Sequence, residues 1–495
     1  MTADLLRLLD QLEGVPVLLL GDLMLDRYIW GEVSRISPEA PVPVLRVTRE
    51  DVRLGGAGSV IANLAALGAE VHAFGVLGID APGDAMLGLL NDLERVDASG
   101  IVRDVGVETT QKTRLIARTQ HMLRIDHDAH EIPGPVLERL RDAVIARLDR
   151  VRAVLVSDYG RGVLDGGLCR EIALEGRRRG IPVIVDPHRD APFERYVGAS
   201  SMTPNRAETA RAVGIHPRDD ASIRGAAAAL IERFDLEWVL VTLDSDGSFL
   251  LSKGADEGQH FLAKSRAVFD VAGAGDMVLS VLGLAVAAGV GVSDAVRLAN
   301  VAAGWEVEQL GVVPMARAEL EAELSSRTPP QLRRKIVEDW DEVARRVARA
   351  RAEGKAVVFT NGCFDLLHAG HVHFIQGCRA KGDYLVVGLN TDESVRGLSK
   401  GPNRPVLPLA ERATVLAGLE AVDLVAPFAE PTPVALIERV RPDVLCKGED
   451  YRTKAVVGRE LVEGYGGRVE LVELLPGVST TNIISKISAE GDAVT

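Results

Sequence analysis

The chain is poor in cysteine, has no excess of positive charge, and lacks a hydrophobic run of membrane-spanning length. Its four cysteines, Cys169, Cys363, Cys378 and Cys446, are scattered and form no C-x-x-C pair. That suits a reducing cytosol better than a disulfide framework. A formal net charge of −14 argues against a general nucleic-acid or anionic-membrane surface. An anionic substrate would have to be met by local basic pockets. The longest apolar run, Met277–Val292, is rich in Ala and Gly and too short to cross a bilayer, so it reads as a buried core helix. The opening MTADLLRLLDQLEG is acidic and amphipathic, unlike a signal peptide. No internal repeat or low-complexity segment stands out. What is present is 495 residues with 47% hydrophobic content, enough for two or more domains with sizeable cores.

The chemistry concentrates first in FDVAGAGDMVLS, Phe269–Ser280. Gly273, Ala274 and Gly275 let successive backbone N–H groups turn toward one spot, and a helix N-terminus follows. Such an anion hole suits a phosphoryl group gathering negative charge, and Asp276 at its edge suits a base for an attacking hydroxyl. The bland alternative is a Gly-rich turn with an Asp cap. The segment resembles the D-x-x-G-A-G-D signature of ribokinase-like carbohydrate kinases, with Val271 and Ala272 where that family often carries Thr. The resemblance implies that Asp276 is the catalytic base and Gly273, Ala274 and Gly275 the anion hole.

Val15–Leu20 reads as a buried strand ending in Gly21-Asp22, a position where open α/β sheets bind ligands. The text GDLMLDRYIWGEVSRISPEAPVPV resembles sugar kinases acting on D-glycero-D-manno-heptose 7-phosphate, which implies sugar binding by Asp22 and a β lid over Tyr28–Val47. Gly55-Gly56 before a helix ending at Gly68 allows backbone to approach a sugar, or simply tight strand–helix packing. Ser59 stands where relatives carry Asn, and Asn63 is a further sugar-binding candidate. For a distal sugar phosphate the cationic candidates are Lys112, Arg114, Arg124, Arg35 and Arg161, of which Arg35 and Arg161 are preferred. From Val151 onward, AVLVSDYG, IPVIVDP and WVLVTLDSDG alternate with helical text, which predicts a mainly parallel sheet covered on both faces. Asp186 ends one strand, and His188 replaces the Lys common in relatives. The resemblance further places Asn205 and Glu208 at the ATP phosphates, with Glu208 supporting magnesium through water. It also places Thr242 and Gly247 at the nucleotide turn and Asn300 near the adenine.

RTPPQ breaks the pattern near residue 328. The expected domains are a ribokinase-like sugar kinase over 1–328, a linker and leading helix over 329–355, and a Rossmann-like nucleotidyltransferase over 356–495. In GCFDLLHAGHVHF, His368 and His371 share one face of a helical first turn, where imidazoles can hold phosphate oxygens. A metal site with Cys363 and His373 fits less well, because no standard zinc spacing is present. The segment resembles nucleotidyltransferases with the H-x-G-H signature. By that resemblance Gly362, Phe364, Lys400, Arg412, Lys447, Ser479, Thr480 and Thr481 bind nucleotide.

The whole chain resembles the bifunctional heptose enzymes of lipopolysaccharide core synthesis. That implies ATP-dependent phosphorylation of heptose 7-phosphate at O1 and AMP transfer to heptose 1-phosphate, with magnesium, a homodimer formed through the lid, and a separate phosphatase between the steps. Two other readings stay open on sequence: another sugar kinase fused to a cytidylyltransferase, and a kinase with a nucleotide-sensing second domain.

Overall fold

The computed structural model describes residues 2–117, 120–128, 131–263, 273–309, 311–325, 330–398 and 404–475. The chain divides into two compact units, Met1–Ser326 and Arg327–Thr495.

The first unit is built on a nine-stranded sheet. Its first strand, β1 (Pro16–Gly21), is a run of branched and aliphatic residues buried on both faces. Two long strands leave the sheet next, β2 (Leu23–Ile36) and β3 (Pro43–Gly56), and β4 (Glu70–Gly78) and β5 (Val96–Asp104) return to it. After β6 (Thr110–Ala117) and β7 (Gln120–His127) come β8 (Ala153–Ser157), β9 (Val183–Asp186), β10 (Ser201–Met202), β11 (Trp238–Thr242), β12 (Ser248–Ser252) and β13 (Gln259–Phe261). The sheet order is β13-β12-β11-β10-β9-β8-β1-β4-β5, and every strand runs the same way except β12, which is antiparallel to both of its neighbours. Helices cover both faces, as parallel strands require. Helices 57–66, 274–287 and 292–306 cover one face, and helices 134–147, 168–179 and 220–234 the other.

The chain builds outward from β1 in one direction to β4 and β5, then returns to the other side of β1 with β8. The carboxyl ends of β1 and β8 therefore flank a switch in strand order, where a crevice opens. The lid expected over Tyr28–Val47 is larger than that: β2, β3, β6 and β7 form a separate four-stranded sheet in the order β3-β2-β6-β7. The apolar run from Met277 lies in the buried helix Ala274–Ala287, as its composition indicates.

The second unit repeats the logic on a smaller scale. Its strands β14 (Val357–Gly362), β15 (Tyr384–Asn390), β16 (Leu424–Phe428), β17 (Val444–Gly448) and β18 (Arg468–Val472) are all parallel, in the order β16-β15-β14-β17-β18. The switch falls between β14 and β17. The segment before β14 packs onto this sheet: the Val337 N–H donates to the Val425 carbonyl, the Trp340 indole to the Pro427 carbonyl, and Val343 and Val347 lie in the core. Pro330 opens a short helix, Pro330–Arg333, a position where a proline lacks only an N–H that would have no helical partner.

Candidate active sites

Helix Ala274–Ala287 begins at Gly273, which has φ 86° and whose cap carries no side-chain hydrogen bond. The first N–H groups are thus left for a ligand. A Cβ at Gly273 would sit 2.9 Å from a Glu306 carboxylate oxygen, so both the turn and the space demand glycine. Ala274 and Gly275 form the helix start, as the anion-hole reading requires. The four residues Phe269–Ala272 lie outside the described residues.

Asp276 is buried in the first turn of this helix. The Tyr159 phenol lies 2.8 and 2.9 Å from its two oxygens. Burial first, then Asp186, Glu306 and Asp26, push Asp276 up to about 8, against the lowering effect of Tyr159. Asp186 stands at the end of β9, accepts a hydrogen bond from the Thr203 hydroxyl, and is itself pushed up to about 6 by burial. Its other oxygen would lie 3.6 Å from a Cβ placed on Gly275, so it borders the anion hole.

Asp22 is buried at the end of β1. Its carboxylate accepts backbone N–H bonds from Tyr159, Arg161 and Val163, so it fastens the turn after β8 to the end of β1. The carboxylate facing the glycine pair is Asp26, four residues on. A Cβ on Gly55 would lie 2.8–3.1 Å from the Asp26 carboxyl group, and Gly56, at φ +57°, starts the following helix. Asp26 is buried and paired with Arg114 at 2.9 Å. Asn63 and Ser59 are buried on that helix, with polar atoms that meet no hydrogen-bond partner.

The proposed phosphate cations separate. Arg161 pairs with Asp128, and its charge is felt by Lys112 and His188; Lys112 also feels Arg124 and lies over the Tyr159 ring at 5.4 Å. Arg35 does not join them. It is exposed near the outer end of β2, nine residues beyond Asp26, roughly 30 Å of extended chain away. Strand periodicity indicates a face but not a distance along the strand.

Among the ATP candidates, Asn205 caps helix Arg206–Val213 and Glu208 returns the bond to the Asn205 N–H. The local capping reading is therefore met in full. Glu208 still faces Asp186, which with burial pushes it up to about 8. Thr242 bridges to Asn205, and Gly247 has φ +95° where the chain passes against Phe261. Asn300 ties Ser248 to the Phe261 carbonyl, joining the edge strands.

In the second unit, Gly362 ends β14 and Phe364 follows in a left-handed conformation with its ring in the core. His368 is the N-cap of helix Ala369–Arg379, and His371 is its third residue. Their rings stack at 3.9 Å. Burial lowers both pKa values, and burial plus His368 takes His371 down to about 4, so both are neutral at pH 7. Lys447, at the end of β17, donates to Asn361 across the switch point. Arg412 lies beneath the site. Its buried guanidinium donates to the carbonyls of Leu407, Cys363 and Asn390 and to Asp392. Asp365, which sequence reasoning passed over inside GCFDLLH, accepts from Val406, Leu407 and Arg404 and so holds the segment entering the helix of Arg412. Lys400 and Ser479-Thr480-Thr481 lie outside the described residues.

The fold and these two sites define an α/β phosphotransferase of ribokinase type joined to an α/β nucleotidyltransferase. Profiles agree: the pfkB family of carbohydrate kinases matches residues 17–318, and a cytidylyltransferase-like family matches 359–488. The chain belongs to the HldE family of bifunctional proteins. It is 47% identical to "Bifunctional protein HldE" of Geobacter sulfurreducens over 475 residues, 96% of each chain, and 44% identical to that of Methylobacillus flagellatus over 96% of this chain and 97% of that one. Solved structures show the fold of the first unit. Arabidopsis thaliana ribokinase complexed with ribose and ATP matches with TM-score 0.50 at 21% identity, and Escherichia coli phosphofructokinase-2 with 0.53 at 19%, each over 63% of this chain and 99% and 100% of theirs.

Proposed function

We propose that the chain catalyses two steps of ADP-heptose synthesis. The first unit phosphorylates D-glycero-β-D-manno-heptose 7-phosphate at O1 with ATP. The second transfers AMP from ATP to D-glycero-β-D-manno-heptose 1-phosphate and releases pyrophosphate. The observation that carries this reading is the HldE likeness along almost the whole chain, with both family matches in order.

In the kinase step the sugar hydroxyl attacks the γ-phosphorus, Asp276 takes its proton, and the N–H groups at Gly273–Gly275 hold the phosphoryl oxygens. In this reading Asp26 and the Gly55-Gly56 backbone orient the sugar, and Arg161 and Lys112 meet its distal phosphate. In the transferase step a phosphate oxygen of the sugar attacks the α-phosphorus. His368, His371 and Lys447 hold the charge that develops, so the protein supplies mainly position and electrostatics.

Enzymes of these two kinds work with ATP and a divalent metal, for which magnesium is the natural choice. Among the described residues no group of three or more His, Cys, Asp or Glu side chains could cage an ion. The half-buried carboxylates Asp186 and Glu208, both with raised pKa, do fit a cation arriving on the triphosphate and met through water. Bound there, it would neutralise triphosphate charge. No helix among the described residues is long and apolar enough to cross a membrane. A cytoplasmic homodimer joined through the lid sheet completes the proposal.

The test supplies purified protein with heptose 7-phosphate and ATP and follows products by mass spectrometry. The bisphosphate should accumulate, because a second sugar phosphate adds charge to a site that already holds triphosphate. Adding a phosphatase specific for O7 should release ADP-heptose. Absence of the bisphosphate, or efficient ADP-heptose 7-phosphate formation without phosphatase, would overturn the scheme.

A further inference from the structure

Tyr159 has no role in the scheme above, yet it makes the closest polar contact recorded for the Asp276 carboxylate. Its phenol oxygen is nearly equidistant from the two carboxylate oxygens, at 2.8 and 2.9 Å. We infer that Tyr159 is a positioning residue for phosphoryl transfer: its phenol, set against both oxygens, aims the Asp276 carboxylate and favours its ionised form over the protonated one, leaving the outer lone pairs to the sugar hydroxyl.

Three observations support this. The first is rigidity. Tyr159 sits in the turn after β8, and the buried Asp22 carboxylate binds that turn through the N–H groups of Tyr159, Arg161 and Val163. The phenol is therefore delivered by fixed backbone, with Lys112 over its ring. The second is the surroundings of the base. Asp186 at the end of β9, Glu306 on helix Val292–Glu306 and Asp26 on β2 all oppose its ionisation, as does burial. Tyr159 acts in the other direction. The third is the phenol itself, which burial and Asp276 keep protonated, so toward the carboxylate it is a donor. A hydrogen bond donated to the charged form favours that form.

The proton balance follows. The sugar O–H gives its proton to Asp276 as the new O–P bond forms and the bond to ADP breaks. Tyr159 keeps its own proton throughout. Removing the phenol hydroxyl should therefore act on the base, through the fraction of Asp276 that is ionised, rather than on sugar affinity.

The inference rests on the kinase reading above, and the experiment separates the two. Full-length wild-type and Tyr159→Phe proteins are assayed for ADP release with heptose 7-phosphate and magnesium ATP between pH 6 and 9.5. If the wild type does not phosphorylate this sugar, the kinase reading itself fails. If it does, Tyr159→Phe should show KM within about twofold, with the acid limb of the kcat profile displaced upward by about one unit. That is about a tenfold loss of kcat at pH 7 that narrows toward pH 9.5. Retained adenylyl transfer to heptose 1-phosphate checks that the chain still folds. Fluorotyrosine at position 159, equal in shape and a stronger donor, should displace the limb downward. An unchanged profile in both proteins would overturn the inference. So would a rise in KM with the limb in place, which would make Tyr159 a sugar contact.

Discussion

Asp276→Asn should cut phosphorylation by orders of magnitude and yet make the protein more stable. In the folded chain this carboxyl is pushed from 3.8 up to about 8 by burial and by Asp186, Glu306 and Asp26. At pH 7 the unfolded chain carries it ionised and the folded chain carries it protonated. The folded state thus binds the extra proton, and the contribution of this group to stability falls as pH rises from about 4 toward 8. At about 1.4 kcal/mol per unit, its cost is about 4 kcal/mol at pH 7 and about 1 kcal/mol at pH 4.5. An amide bears no such cost, and its carbonyl can still accept from Tyr159. The variant should therefore be more stable by about 2–4 kcal/mol at pH 7, with most of the gain gone at pH 4.5. Urea denaturation of the full chain measures it, since Trp30, Trp238 and Trp305 report the first unit by fluorescence. Phosphorylation should fall by about 10²–10⁴-fold. No gain at pH 7, or a gain equal at both pH values, would refute the account of a strained, functional carboxylate; near-normal turnover would refute its role as base.

His368→Ala or His371→Ala should leave sugar phosphorylation intact and, with the phosphatase present, accumulate heptose 1-phosphate; chromatography of the sugar phosphates reads this directly. Arg412→Ala should destabilise the second unit by about 3–5 kcal/mol, because Asp392 and three carbonyls lose a buried partner. A lowered urea midpoint for that unit, with kinase turnover unchanged, is the expected readout.

The phosphate-handling motifs were legible because each is local. Gly273–Asp276 and His368–His371 carry their geometry within one helical turn, and the strand–helix alternation from Val151 announced the mainly parallel sheet of the first unit. What escaped depends on distance along the chain. Asp22 and Asp26 sit four residues apart in the same apolar text, and only the approach of Gly55 distinguishes the carboxylate facing that glycine from the one holding a turn. Tyr159 lies 117 positions from Asp276, so no spacing rule could join them. Arg412 was expected at the nucleotide by resemblance, and no local pattern shows that its guanidinium is wholly buried, with three carbonyls and a carboxylate converging on it from separate segments. Arg35 shows the converse: its strand was expected, but that strand runs on so far that Arg35 lies nine residues beyond Asp26 and exposed.

The stacked imidazoles of His368 and His371 set a limit on proton capacity. Two positive rings 3.9 Å apart would repel by about 4 kcal/mol at an effective dielectric constant of 20. The pair therefore behaves as one titrating unit that holds a single proton at most near neutral pH. A triphosphate arriving at that helix start either finds neutral N–H donors or draws in one proton from the buffer. Calorimetric titrations in buffers of different ionisation enthalpy count that proton as the difference between the wild type and His371→Ala, in which the kinase site cancels: the difference amounts to no more than one proton, however tightly the nucleotide is held.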